Sequence, residues 1–352
     1  MGGAESQVVN LADEFVKKGH HVTLAYLVGP VLMSPNSNKI DVVWLKGDRN
    51  ILGFLKAFFY LNRLVTSLQP DVVHSHMFHA NILARLARLF TTVPRLVSTA
   101  HSNNEGGKFR MLAYRVTDGL AHEFTNVSQG ALDSFERKKA APLGRMIATP
   151  NGIDTQRFNF RLVSRQRLRS ELGLQNRKVF IAIGRFHEAK DYPNLLDAFS
   201  IFCENESTSH LVIVGDGELR PEIEERMRTL GLDSKVSLLG VRKDVPELLS
   251  AADFFVLSSA WEGFGLVVAE AMSTERVVIA TDSGGVAEVL GGNGFLVPPR
   301  DSKALAKGMQ KAIDLSNAEA KEFGRKSRQH VVEMFSLNRT VSRWLEIYAH
   351  GY

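Results

Sequence analysis

The chain reads as an α/β protein made of two Rossmann-like, doubly wound domains. Short apolar runs alternate with helical patterns along nearly all of its 352 residues. Most of these runs are continuous rather than in–out alternating, the pattern of parallel strands covered on both faces. The length also exceeds what one core comfortably fills, roughly 250–300 residues. A hydrophobic content of 44% is that of a folded globular chain.

Taken in order, the first strand-like runs are 21–27, 40–45, 71–75, 95–100, 124–127 and 146–149. A second series follows at 178–183, 210–214, 236–239, 253–257 and 276–280. Helical stretches between them give βα repeats and hence parallel sheets. The repetition stops at 149–154 (TPNGID), where Pro150 and Gly152 punctuate the chain, and resumes after an Arg-rich helical stretch at 161–172. This predicts two domains, 1–154 and 155–336, hinged near Asn151–Asp154. At the start, Gly2-Gly3-Ala4-Glu5 leads straight into an amphipathic helix. A Gly pair in that position ordinarily follows a strand, so a longer upstream reading frame is expected to supply one.

Charge separates the two parts. Residues 1–155 hold 17 Lys+Arg against 12 Asp+Glu, whereas residues 156–352 hold 26 of each. The first part therefore carries the whole excess of +5. A basic half suits nucleic acid, an anionic membrane surface or a phosphorylated substrate. Nucleic acid would call for a continuous Lys/Arg stripe or an aromatic platform, and neither is visible. The lone Cys203 excludes an internal disulfide and Cys-rich zinc modules, and fits a reducing compartment. No uncharged apolar run of about 18 residues occurs, so no membrane span is expected. The first twenty residues also lack a signal-peptide pattern.

The most informative stretch is Glu262-Gly-Phe-Gly-Leu-Val-Val-Ala-Glu270, between the run 253–257 and a helix reaching about Ser273. Gly263 and Gly265 let backbone amides approach a ligand at a helix N-terminus, which favours anions. Glu262 stands at the mouth of that turn. Glu270, one helical stretch deeper, is suited to accept two ribose hydroxyls. The alternative is an ordinary helix with an acidic first turn. Gly184-Arg185-Phe186 with Lys190, beyond the run 178–183, offers two cations for a diphosphate; the alternative there is a solvated loop paired by Glu188 and Asp191. Gly215-Asp216-Gly217 and Gly284-Gly285 mark two further turns at strand ends, the crevice side of an open sheet. Gly215-x-Gly217 lacks the third glycine of a dinucleotide fingerprint, and no strand precedes the N-terminal Gly pair, so an NAD(P)-dependent oxidoreductase is disfavoured. His74-x-His76 with His79 has no acidic or Cys ligand at suitable spacing, so an acceptor-side or structural role is expected rather than a metal site.

Together these motifs, with Lys18-Gly19-His20, the stretch 70–76 (PDVVHSH), Ser98-Thr99-Ala100-His101, the stretch 150–154 (PNGID) and Asp282-Ser283-Gly284-Gly285, resemble a retaining GT-B glycosyltransferase of the "glycosyl transferases group 1" family. The elements occur in the family's order and span residues 2 to about 300. The resemblance implies two Rossmann-like domains facing across a cleft, the first on the acceptor side and the second holding a nucleotide-sugar donor. It also implies that a final helix, 337–352, packs back on the first domain. By the same resemblance Arg185 and Lys190 neutralise the donor diphosphate, Glu270 holds the ribose, and Glu262 with Gly263, Phe264, Gly265 and Leu266 meets the donor sugar. Gly2 and Gly3 correspond to a loop closing over the diphosphate from the opposite domain, Gly184 joins the donor-binding residues, and His101 corresponds to a histidine near the reacting sugar. Members carry a strand immediately before that Gly pair, and its loss would leave a central position of the first sheet empty.

The expected reaction moves a hexose or N-acetylhexosamine, UDP-linked, onto a lipid-linked saccharide in O-antigen, capsule or exopolysaccharide synthesis. GDP-mannose as donor and a sugar-nucleotide epimerase of similar fold remain the alternatives. No Asp-x-Asp motif is present, so metal-independent transfer is expected, and retention is inherited from the family. The stretch 51–69, with Lys56 and Arg63 and no acid, places Ile51, Leu55, Phe58, Leu61, Val65 and Leu68 on one helical face, with Phe54 and Phe59 off it. The stretch 107–122 mixes Lys108, Arg110 and Arg115 with Phe109, Met111, Leu112 and Tyr114. These helices either pack on the sheet or rest on an anionic leaflet, which would place a cytoplasmic enzyme at the inner face of the cell membrane.

Overall fold

The computed structural model describes residues 2–29, 33–48, 50–103 and 105–349. The chain divides into two compact units, Met1–Gly152 with Leu337–Tyr352, and Ile153–Ser336.

The first unit runs α1 (Gly3–Lys17), β1 (Thr23–Tyr26), β2 (Asp41–Trp44), α2 (Ile51–Leu68), β3 (Val72–His76), α3 (Phe78–Ala87), β4 (Arg95–Ala100), α4 (Lys108–Thr117), β5 (Glu123–Asn126), α5 (Gln129–Arg137) and β6 (Met146–Ala148). All of its strand pairs are parallel, and they form a two-stranded sheet, β1–β2, and a four-stranded sheet, β3–β4–β5–β6. Among the described residues no ladder joins β1 to β3. Strand β4 is buried throughout, which explains its unbroken apolar and small-residue run.

The second unit runs α6 (Leu162–Glu171), β7 (Lys178–Ile183), α7 (Tyr192–Cys203), β8 (Ser209–Val214), α8 (Arg220–Thr229), β9 (Val236–Leu238), α9 (Val245–Ala251), β10 (Phe254–Leu257), α10 (Leu266–Ser273), β11 (Val277–Thr281), α11 (Val286–Leu290), β12 (Phe295–Val297), α12 (Ser302–Ile313) and α13 (Asn317–Phe335). Its six strands are parallel in the order β12-β11-β10-β7-β8-β9. Numbered within the unit this is 6-5-4-1-2-3, the doubly wound order whose direction of winding reverses between β7 and β10. Those two strands share only the pairs Phe254–Phe180 and Phe255–Ile181, so their carboxyl ends diverge. Strand β12 was not predicted: three residues followed by Pro298-Pro299 give too little pattern.

Helix α14 (Leu337–Ala349) belongs to the first unit; positions 350–352 of the predicted final helix lie outside the described residues. Its Leu337, Val341, Trp344 and Ile347 pack with Leu11 of α1 and Val97 of β4. Trp344 stands 4.5 Å from the His74 ring, and Arg95 Nη2 donates to the Ile347 carbonyl at 2.8 Å.

The predicted inner face of α2 is corrected. Gly53, Ala57, Leu61 and Val65 are buried, with Phe54, Phe58 and Leu64 partly so, while Ile51, Leu55 and Leu68 are exposed. Gly53 sets the rotation, because a Cβ there would come within 2.4 Å of the Asp48 amide nitrogen.

Because Trp344 anchors α14, Trp344→Ala should destabilise the first unit by about 3–5 kcal/mol through the cavity it leaves. Urea unfolding followed by far-UV circular dichroism measures this. A loss below about 1 kcal/mol would mean that α14 is not integral to that core.

Candidate active site

In the second unit the glycine turns pack backbone on backbone. The Gly184 amide donates to the Val214 carbonyl at 3.0 Å, and the Gly215 amide to the Gly240 carbonyl at 2.9 Å. A Cβ on Gly215, whose φ is +148°, would lie 1.9 Å from the Gly184 carbonyl oxygen, and one on Gly217 would lie 2.4 Å from that of Phe186. These glycines let the loop after β8 nest against the loop after β7. The second loop is thereby fixed at the carboxyl edge of the sheet, with Arg185 on it.

A similar knot forms across the switch point. The Ala260 amide donates to the Ala189 carbonyl, Ser258 Oγ to the Lys190 carbonyl at 2.7 Å, and Thr281 Oγ1 to the Ser259 carbonyl at 2.6 Å. The turn Glu188–Lys190 is thus held to the loop after β10, and that loop to the end of β11. Lys190 Nζ lies 2.5 Å from Glu262 Oε1, and Ser259 Oγ donates to the same oxygen at 2.7 Å. Arg185 is 63% exposed and pairs with Glu218 at 2.9 Å. Gly265 caps α10 with φ at +88°, a left-handed conformation that glycine adopts without strain. Phe264 is buried edge-on against Phe335, which fixes the turn.

Glu270 has no hydrogen bond or ion pair for its carboxylate among the described residues. Burial pushes its pKa up to about 7, against the pull of Arg157 and Lys190, which favour the charged form.

In the first unit His101 follows β4. Its Nε2 lies 3.0 Å from His76 Nδ1, its Nδ1 is buried without a partner among the described residues, and its amide donates to Glu105 Oε1 at 3.0 Å. Glu105 also accepts from the Tyr114 hydroxyl at 2.5 Å. His74 bridges the Tyr348 hydroxyl at 2.6 Å and Thr99 Oγ1 at 2.7 Å. Burial lowers the pKa of His101 to about 4 and of His74 to about 3, and puts His76 well below the usual range. All three are neutral imidazoles at pH 7. Among the described residues no group of three or more His, Cys, Asp or Glu is arranged to hold a metal ion.

Residues 164–330 match the family model described as glycosyl transferases group 1, and residues 1–157 match glycosyltransferase family 4. The chain is a glycosyltransferase whose second unit belongs to the glycosyl transferases group 1 family. It is 27% identical over 84% of its length to UDP-Gal:alpha-D-GlcNAc-diphosphoundecaprenol alpha-1,3-galactosyltransferase of Escherichia coli, covering 79% of that protein. It is 29% identical over 86% of its length to alpha-maltose-1-phosphate synthase of Mycolicibacterium smegmatis, covering 84%. Its fold matches that of Anabaena HepE, crystallised with UDP and glucose, at TM-score 0.85 and 21% identity, covering 98% of this chain and 95% of that one.

In this glycosyltransferase the second unit brings Gly184, Arg185, Lys190, Glu262, the turn Gly263–Leu266 and Glu270 to the carboxyl edge of one sheet. Arg185 and Lys190 are each held by a different carboxylate, Glu218 and Glu262. Gly2 and Gly3 lie in the first unit, where Gly2 is the N-cap of α1 and Gly3 its first residue, so the Gly pair starts a helix directly. Sequence reasoning missed Glu218, Arg157, Glu105 and the link between His76 and His101. Of these only Glu105 had a signal, as an acid four residues beyond His101.

The folded enzyme holds the Glu270 proton to higher pH than the unfolded chain, whose carboxyl titrates near 4.5. This contribution to stability is complete below about pH 4.5 and lost as the pH rises through about 7. Glu270→Gln should therefore raise the melting temperature at pH 8 and leave it unchanged at pH 4. Differential scanning fluorimetry across that range reads the difference; equal shifts at both ends would contradict the burial argument. Lys190→Met should lower turnover about 10²–10³-fold, the usual loss of a charge-stabilising group, measured as nucleotide release at saturating donor.

Proposed function

We propose that this enzyme transfers a hexose or N-acetylhexosamine from a UDP-sugar to a lipid-linked saccharide, with retention and without a metal ion. The product is a unit of a bacterial O-antigen, capsule or exopolysaccharide, made at the inner face of an anionic membrane. The observation that carries the reading is the set Arg185, Lys190, Glu262 and Glu270 around the carboxyl ends of β7 and β10, where doubly wound sheets bind ligands. The names of two similar proteins favour the finer points: one uses UDP-galactose with a diphosphoundecaprenol-linked acceptor, and the other was crystallised with UDP.

Departure of a nucleoside diphosphate leaves negative charge on its terminal phosphate. Lys190 and Arg185 can receive that charge by exchanging their present carboxylate partners for phosphate oxygens. Glu270, desolvated and without a protein donor, is available to two ribose hydroxyls, whose hydrogen bonds would favour its ionised form. Glu262, released from Lys190, can accept from sugar hydroxyls. The neutral imidazole of His101 can donate or accept one hydrogen bond through its Nδ1 without adding a positive charge. Retention follows the family, since no covalent nucleophile is assigned.

The test is release of UDP and of GDP from a panel of nucleotide sugars, with and without undecaprenyl-type diphosphate sugar acceptors and with a chelator present. Release of UDP, stimulated by acceptor, insensitive to the chelator and lost in Glu270→Gln, is expected. Release of GDP from GDP-mannose instead would replace the donor. Nucleotide binding without transfer to any lipid-linked acceptor would remove the acceptor class. NMR of the product anomer checks retention.

A further inference from the structure

We propose that α2, with the chain just past α3, is the surface by which this protein lies on an anionic lipid bilayer. The inference deepens the lipid-linked acceptor reading and rests on it for its purpose, but its evidence is the surface itself. The N-terminal half of the helix gives its smallest residues to the core. Its small residues Gly53 and Ala57 face the core, while Ile51 is 81%, Leu52 71% and Phe59 69% exposed, with Leu55 beside them. A helix whose only duty was to cover a sheet would bury its largest side chains. The patch does not end with the helix. The Phe58 ring stands edge-on to Phe59 at 6.0 Å and to Phe90 at 5.5 Å, and Phe90 is itself 72% exposed, next to exposed Leu89.

Cations rim this apolar face. Lys56 and Arg63 lie on the exposed side of α2 and form no ion pair among the described residues, and Lys46 Nζ sits 4.7 Å from the Tyr60 ring centre. No carboxylate occurs in Ile51–Leu68. The nearest acids in sequence are Asp48, which accepts from Asn50 Nδ2 at the start of the helix, and Asp71, three residues past its end. An apolar stripe flanked by long cationic side chains and aromatic rings matches the acyl boundary and anionic headgroups of a leaflet, with the ammonium and guanidinium groups reaching up to the phosphates. The same charge pattern argues against a second copy of the chain. A symmetric α2–α2 contact would bring Lys56 and Arg63 against their own copies, with no acid on the helix to receive them. By length and composition α2 could also cross a bilayer, with a mean hydropathy of 1.3. Its buried row Gly53, Ala57, Leu61 and Val65 is instead committed to the core of the first unit, which fixes an orientation along the surface.

The test is co-sedimentation of the full chain with vesicles of phosphatidylcholine alone and with phosphatidylglycerol added, neither holding any sugar lipid. Binding to the anionic vesicles, weakened by high salt, is expected. About tenfold weaker partition is expected for Leu55→Glu/Phe59→Glu and for Lys56→Gln/Arg63→Gln. Both variants change exposed side chains, so unchanged melting temperature and unchanged donor hydrolysis should accompany the loss. Absence of vesicle binding, or equal binding by wild type and both variants, would overturn the proposal. So would a dimer, seen by sedimentation velocity, that the Leu55→Glu/Phe59→Glu variant abolishes while no vesicle binding occurs. Because the vesicles carry no acceptor, binding without sugar transfer would fault only the acceptor reading. Transfer to soluble acceptors without vesicle binding would fault only the surface assigned here.

Discussion

The second unit depends on one constraint: six parallel strands whose winding reverses between β7 and β10. Parallel strands buried on both faces leave no room for polar side chains along their length, so the polar residues gather where the strands end. At the reversal the two neighbouring connections leave in opposite directions and the strand ends diverge, opening a crevice without any special sequence. The sequence decides how closely the loops around that crevice can nest. Gly215 and Gly217 answer that need, since a side chain at either would collide with the backbone of the loop that bears Arg185. They act through geometry on a residue they do not resemble chemically.

Electrostatics then settle the loops. Lys190 is only about one-fifth exposed, and a cation in that setting costs much less with a carboxylate beside it. Glu262 serves, and Ser259 satisfies the same oxygen. Arg185 is far more exposed and its pairing with Glu218 adds little to stability, so it can change partners at small cost. Glu270 is the opposite case, a desolvated carboxyl with nearby positive charge but no direct partner. The crevice therefore combines one mobile cation, one anchored cation and one acid poised near neutrality, a combination suited to a ligand that brings both phosphate oxygens and hydroxyl groups.

Much of this could be read from the sequence because the fold repeats a simple pattern. The runs at 95–100 and 178–183 coincide with β4 and β7, since beyond their charged first residues, Arg95 and Lys178, they hold only apolar or small residues, as strands covered on both sides do. Strand β12 escaped because three residues before two prolines carry no period. The inner face of α2 was misplaced because periodicity was weighed by hydrophobicity alone. The backbone of Asp48 leaves space only for a glycine at position 53, and that steric fact rotates the helix so that its larger residues face outward. Glu218 and Arg157 reach the site only through folding, the first from just past the Gly215–Gly217 turn and the second from a turn with no motif, and neither had a chemical signal of its own.

In the first unit the histidines are best understood from the C-terminal end of the chain. Tyr348 and Trp344 of α14 hold His74 from one side, while Thr99 holds it from the strand and passes the hydrogen bond on to Thr125. The ring of His76 lies 4.0 Å from that of His74 and bonds to His101. A row of three imidazoles so close together can persist only if none is charged, and burial enforces this by lowering every pKa in the row. Each ring then has one donor and one acceptor nitrogen, so the proton between His76 Nδ1 and His101 Nε2 sets the sense of the one hydrogen bond that joins two of the rings. Tyr348 stands at the far end of the row from His101. The last helix thus does more than fill the core: Tyr348 and Trp344 fix the position of His74, against whose ring His76 lies.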